Sequence, residues 1–99
     1  MAVLKDVIQA LETATNPVAK VLHKGNQFKV LVIGFNKGMI LKEHQAHVPS
    51  KITVLSGSII YREQDNEQKL LQYEELDIPV NVPHSVEAVE ASLCLLTQG

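Results

Sequence analysis

Gly38-Met39-Ile40-Leu41-Lys42-Glu43-His44-Gln45-Ala46-His47-Val48-Pro49-Ser50-Lys51-Ile52-Thr53-Val54-Leu55-Ser56-Gly57 is the stretch on which the chain turns. It holds a glycine, two histidines three positions apart, a proline break, an apolar run of strand texture and a second glycine. Its counterpart comes much later, in Ile78-Pro79-Val80-Asn81-Val82-Pro83-His84, where another histidine sits among prolines. The rest of the chain reads as scaffold around these two segments.

Upstream, Val3, Leu4, Val7, Ile8 and Leu11 recur at helical spacing, with Lys5, Asp6, Gln9 and Glu12 on the opposite face. The pattern predicts one amphipathic helix over residues 2–13, ended by Asn16-Pro17. Its apolar stripe would pack on the outside of a sheet or dock as an arm on another subunit. Beyond Val18 the texture changes to short β-prone runs separated by turns. Strands are predicted at Ala19–Lys24, Phe28–Phe35, Met39–His44, Ile52–Leu55, Ile59–Arg62, Lys69–Gln72, Asp77–Pro79, Val86–Val89 and Ser92–Thr97. Phe28–Phe35 is apolar on both faces, which predicts a strand covered on both sides. Strands with a turn every eight to twelve residues or so, and almost no helix after residue 16, indicate an all-β sandwich or barrel.

The 99 residues suffice for one domain, 1–99, with a helical segment over 1–16 and a barrel over 18–99. An apolar fraction of 45% and a net charge of −2 fit a folded soluble protein. No stripe of lysine or arginine offers itself to phosphates, so nucleic acid is not an expected partner, and no apolar run is long enough for a membrane helix. Cys94 is the single cysteine and lies among Leu93, Leu95 and Leu96. It reads as a buried small hydrophobe, and with no export signal visible the expected location is the cytoplasm.

The two opening segments together resemble the paired motifs of the cupin superfamily. Its first motif runs glycine, five residues, His-x-His, three or four residues, glutamate, six residues, glycine, and Gly38, His44 and Gly57 fall on it. In the second, a histidine stands five positions after a proline, as His84 does after Pro79. The closing segments Val82–Ala88 and Leu93–Thr97 also look like the last strands of small single-domain cupins. The resemblance implies a double-stranded β-helix, or jelly-roll barrel, preceded here by one helix, and a homodimer as the usual assembly.

In cupins that bind metal, both histidines and the glutamate of the first motif and the histidine of the second are ligands. Here Ala46 takes the second histidine's place and Ser50 the glutamate's. Tyr73 and Glu74 stand roughly where a glycine-aspartate pair opens the second motif, and Asn81 replaces its inner glycine. Three functional readings follow. A bend at Pro49 would bring His47 round to join His44 and His84 as three ligands for a divalent ion such as Zn, Ni, Fe or Mn, with enzymes of dioxygenase or isomerase type implied by the resemblance. Without metal, His44 and His84 would orient a small molecule in a hollow walled by Ile52, Val54 and Met39. Or the barrel exterior and the helix serve a non-catalytic interaction. The serines flanking Gly57 read as turn residues, Glu74-Glu75 as a solvated turn, and His23 as a surface residue.

Overall fold

The computed structural model describes residues 1–99 and contains one helix, α1 (Val3–Ala10), followed by nine strands. These are β1 (Val18–Lys24), β2 (Lys29–Phe35), β3 (Ile40–His44), β4 (Ser50–Ser56), β5 (Ile59–Glu63), β6 (Asn66–Leu70), β7 (Glu75–Ile78), β8 (His84–Ala88) and β9 (Ser92–Gln98). They form two antiparallel sheets, one in the order β1-β2-β9-β4-β7 and one in the order β3-β8-β5-β6. The architecture is the expected cupin β-barrel, but the two sheets are not closed into one. β6 and β7, unpaired edges of different sheets, flank a common hollow, and β1 and β3 are the other two edges.

Alternation along the strands fills the space between the sheets. Ile33, Phe35, Ile52, Val54, Ile59, Tyr61, Val86 and Cys94 belong to a core cluster of 13 buried residues, with Leu31, Met39, Leu41 and Leu76 packed against it. Strand β2 is covered on both sides as its pattern predicts, because Val32 faces the other way, into a second cluster with Val7 and Leu93. The helix stripe thus packs on the outer face of the five-stranded sheet. Gly34 makes that approach close: a β-carbon there would stand 2.6 Å from Val7 Cγ1 and 2.8 Å from Leu11 Cδ1. Cys94 is fully buried, and burial pushes its thiol up to about 12, which removes it from thiolate chemistry.

Four strands begin two or three residues earlier than the sequence predicts, β4 at Ser50 and β8 at His84 among them. Strand β6 starts at Asn66, and β7 at Glu75. Both are edge strands whose polar residues face solvent, so hydrogen-bonded register decides them and hydrophobic alternation does not. The helix is shorter than predicted; after Ala10 the chain continues in turns bonded from Glu12 and Thr13 back to Gln9 and Ala10.

The turns explain the motif departures. Gly38 and Gly57 have φ of +83° and +84°, where glycine is unstrained. Tyr73 and Asn81, at the places where the cupin motif carries glycine, keep the same left-handed backbone with φ of 71° and 62°. Asparagine tolerates that region and tyrosine does not. The Tyr73 side chain is exposed, and its N–H donates to the Val54 carbonyl at 2.7 Å. Tyr73→Gly is therefore expected to stabilise the fold by about 0.5–1 kcal/mol, the left-handed penalty relieved less the added chain entropy. Urea unfolding would show it as a raised midpoint at unchanged slope; a lowered midpoint would refute the strain.

Candidate functional site

Strand register brings the two predicted histidines together. Across β3 and β8, Leu41 pairs with Val86 and His44 with His84, so three steps on one strand match two on the other. The extra residue is a β-bulge at Lys42-Glu43. Simple alternation would put His44 on the face opposite Leu41; the bulge returns it to the inner face, beside His84 and ahead of the buried Ala46.

The rings stand 4.3 Å apart, edge to face. His84 is 2% exposed, whereas His44 forms the solvent-facing side of the pair. Each donates Nδ1–H to a backbone carbonyl two residues back, His44 to Lys42 at 2.7 Å and His84 to Val82 at 3.0 Å. A carbonyl only accepts, so the proton of each neutral ring is fixed on Nδ1 and the Nε2 lone pair is free. No buried side-chain nitrogen or oxygen lacks a partner, so the unbonded Nε2 of His84 keeps contact with solvent although the rest of the ring is covered.

Behind His84 lies Tyr61, its ring stacked at 5.6 Å and 24°. The Tyr61 hydroxyl donates to Glu63 at 2.6 Å. Burial first, then the hydrogen bond and charge of Glu63, push the phenol well above its ordinary value and keep it protonated. Glu63 in turn pairs with His84 across β5 and β8, and with Asn66 across β5 and β6. His44, His84, Glu63 and Asn66 thus form one row across the whole four-stranded sheet. Tyr61 and Glu63 are the site residues that sequence reading missed. Their spacing of two on a strand puts them on one face, but nothing local reveals that the face is shared with His84.

His47 does not join the pair. Its Nδ1 donates to Asn81 Oδ1 at 3.1 Å, and the Asn81 N–H donates to the Ala46 carbonyl at 2.8 Å, which ties the loop before β4 to the loop before β8. The three-histidine set predicted for a divalent ion is not formed, and no group of three or more His, Cys, Asp or Glu side chains is placed to hold a metal. Two nitrogen donors fall short of the three protein ligands that a catalytic zinc needs. Ile52 and Val54 are 1% and 0% exposed inside the core cluster, and Met39 packs against it from the side. Beside Tyr61 and Glu63 the open seam leaves a hollow of about 410 Å³, which runs past Asn66, Glu67 and Gln68 to Leu76 and Asp77.

The His84 imidazole is held below its ordinary value, chiefly because burial disfavours the charged ring and secondarily because His44 is near; the carbonyl of Val82 and the charge of Glu63 oppose the shift. A ring with a lowered folded value binds fewer protons folded than unfolded. Its contribution is therefore complete above the unfolded value near 6.5 and is lost as pH falls through the lower folded value. Thermal midpoints should drop on acidification below about pH 6.5, and His84→Gln should flatten that part of the profile. A variant with an unchanged acid slope would count against His84 as the group responsible.

No family model matches the sequence, and no curated protein matches it. Solved structures do. An RmlC-like cupin from Desulfovibrio desulfuricans superposes with a TM-score of 0.76 at 26% identity, over 83% of this chain and 80% of its own. A cupin 2 conserved barrel domain protein from Leptotrichia buccalis gives 0.79 at 27% identity, over 92% of this chain and 45% of its own. A cupin superfamily protein from Desulfitobacterium hafniense also gives 0.79, at 14% identity. Two facing antiparallel sheets in this strand order, matched by these solved structures, give the chain the fold of a small cupin domain.

Proposed function

We propose that the barrel mouth binds a small molecule through the free Nε2 atoms of His44 and His84. The observation that carries this reading is the double anchoring of the rings: both Nδ1 protons are spent on backbone carbonyls, so two rings whose centroids are 4.3 Å apart each keep an oriented Nε2 acceptor. Such a pair positions a hydroxyl or amine with little reorganisation, because the protein has already fixed the rings. On this reading the apolar support comes from the core, to which Ile52 and Val54 belong and against which Met39 packs. The fixed tautomers also suit a divalent ion, with bound molecules completing its shell, and this is the second reading; a metal enzyme would require it. The test is a thermal-shift survey of small polar molecules and of Zn, Ni, Fe and Mn salts against wild type and a His44→Gln, His84→Gln double variant. Ligands that stabilise only the wild type support the site. If every stabilising compound acts equally on both proteins, the histidines are not its binding groups.

We also propose a homodimer in the cytoplasm. Four unpaired edges, β1, β3, β6 and β7, leave main-chain groups to cover, and β1 carries exposed Val21 and Leu22. The single buried thiol suits a reducing compartment. Light scattering after gel filtration should give twice the chain mass, and a monomer would overturn the dimer.

A further inference from the structure

Strand β1 is the longest of the four strands that end a sheet, with seven residues against five in β3, five in β6 and four in β7. It is bonded to β2 on one side and to no strand on the other, so the main-chain groups of its outer edge have no partner. The same strand leaves large apolar side chains uncovered. Val21 is 43% exposed on the inner-face side, where it pairs with Leu31. Leu22, the bulged residue, is 38% exposed beside Met1, Val3 and Leu4 in a hollow of about 490 Å³. By contrast, no residue of β6 or β7 is a large exposed hydrophobe.

We infer that β1 docks on β1 of a second copy of this chain, antiparallel about a two-fold axis, joining two five-stranded sheets into one of ten strands. The order of residues along β1 selects this occupant. With the axis at Val21 all seven residues pair, and each basic residue meets an apolar one in the second copy: Lys20 faces Leu22, His23 faces Ala19 and Lys24 faces Val18. Sliding the copies by two residues, the smallest shift that keeps each side chain on its face, sets Lys20 against its own counterpart in one direction and against Lys24 in the other. Lysines commonly guard an edge. In β1 they bar the shifted registers and leave the full-length one open. The other edges pair less well with themselves. Full-length pairing of β3 sets Lys42 against Lys42, and β6, although Glu67 would meet Lys69, has no exposed apolar side chain to bury. The inference rests on the homodimer proposed above and adds the surface through which it forms.

Val21→Cys puts a thiol on the axis, where opposed Cα atoms of an antiparallel pair stand about 4.5–5.5 Å apart, within disulfide reach. Cys94 will not compete, since it is fully buried and its thiol is pushed up to about 12. Under mild oxidation Val21→Cys should give a covalent dimer on a non-reducing gel, whereas Gln68→Cys, at the centre of β6, should run as single chains. Val21→Lys should weaken the dimer at least about tenfold by light scattering across a dilution series, because two ammonium groups then meet on the axis, and Val21→Thr should leave the dimer intact. Val21 is half-exposed, so both variants should keep the far-ultraviolet dichroism of the wild type. A wild-type dimer that Val21→Lys leaves intact, or Gln68→Cys crosslinking as readily as Val21→Cys, would overturn this interface while the homodimer stands. A monomeric wild type would remove both.

Discussion

Gly57→Ala is expected to cost more than about 3 kcal/mol of stability, whereas Gly38→Ala should cost only about 1–2 kcal/mol. The two glycines hold equivalent places at the ends of the first motif, and their φ angles differ by a degree. Their surroundings separate them. A β-carbon at Gly38 meets nothing within 4 Å, so only the left-handed penalty applies. At Gly57 it would stand 2.3 Å from the Ala91 carbonyl oxygen, 2.3 Å from Ser92 Oγ and 2.8 Å from Ser92 Cα. Ser92 cannot move aside cheaply: its hydroxyl donates toward the carbonyls of Ser58 and Glu90 and accepts the Ser58 N–H, and it is 4% exposed at the start of β9. Backbone displacement on top of the φ penalty should exceed about 3 kcal/mol, a large share of the roughly 5–15 kcal/mol by which such domains are stable. Circular dichroism and urea titration of the two variants side by side check this, and equal losses would show that β9 adjusts more easily than its hydrogen bonds imply.

Ile52→Ala should cost about 2–5 kcal/mol and Val54→Ala somewhat less, since both side chains are buried on β4 among core residues that cannot close over the space. The sequence offered the same residues as the wall of a ligand hollow. The two roles predict different measurements: a floor residue lowers the melting temperature and leaves affinity at the mouth nearly unchanged, while a wall residue lowers affinity directly. Stability and binding measured on the same Ile52→Ala preparation decide between them.

What the sequence revealed and what it withheld divide along one physical line. Features set by local chemistry were legible: the helix stripe centred on Val7, the turns at Gly38 and Gly57, the double-sided burial of β2 and the buried Cys94. The approach of His44 to His84, forty positions apart, was legible through the motif resemblance alone. Features set by register between distant strands were not. The bulge at Lys42-Glu43 has no residue signature, since neither position is glycine, yet it decides which way His44 faces. Glu63 enters the site only through its pairing with His84, and that alignment depends on the hairpin turn at Gln64-Asp65. His47 had the right chemistry and a bend beside it, but Asn81 accepted its proton and held it away from the pair.

The place of β9 also bears on how the chain is made. It lies in the middle of the five-stranded sheet, bonded to β2 along one side and to β4 along the other, with Ile33 opposite Cys94 and Val54 opposite the same residue. A polypeptide emerging from the ribosome therefore exposes two halves of an unfinished sheet until its ninth strand appears. Folding of the barrel must wait for β9 to be synthesised, and nascent chains stalled before Ser92 should be the ones that chaperones hold and proteases cut.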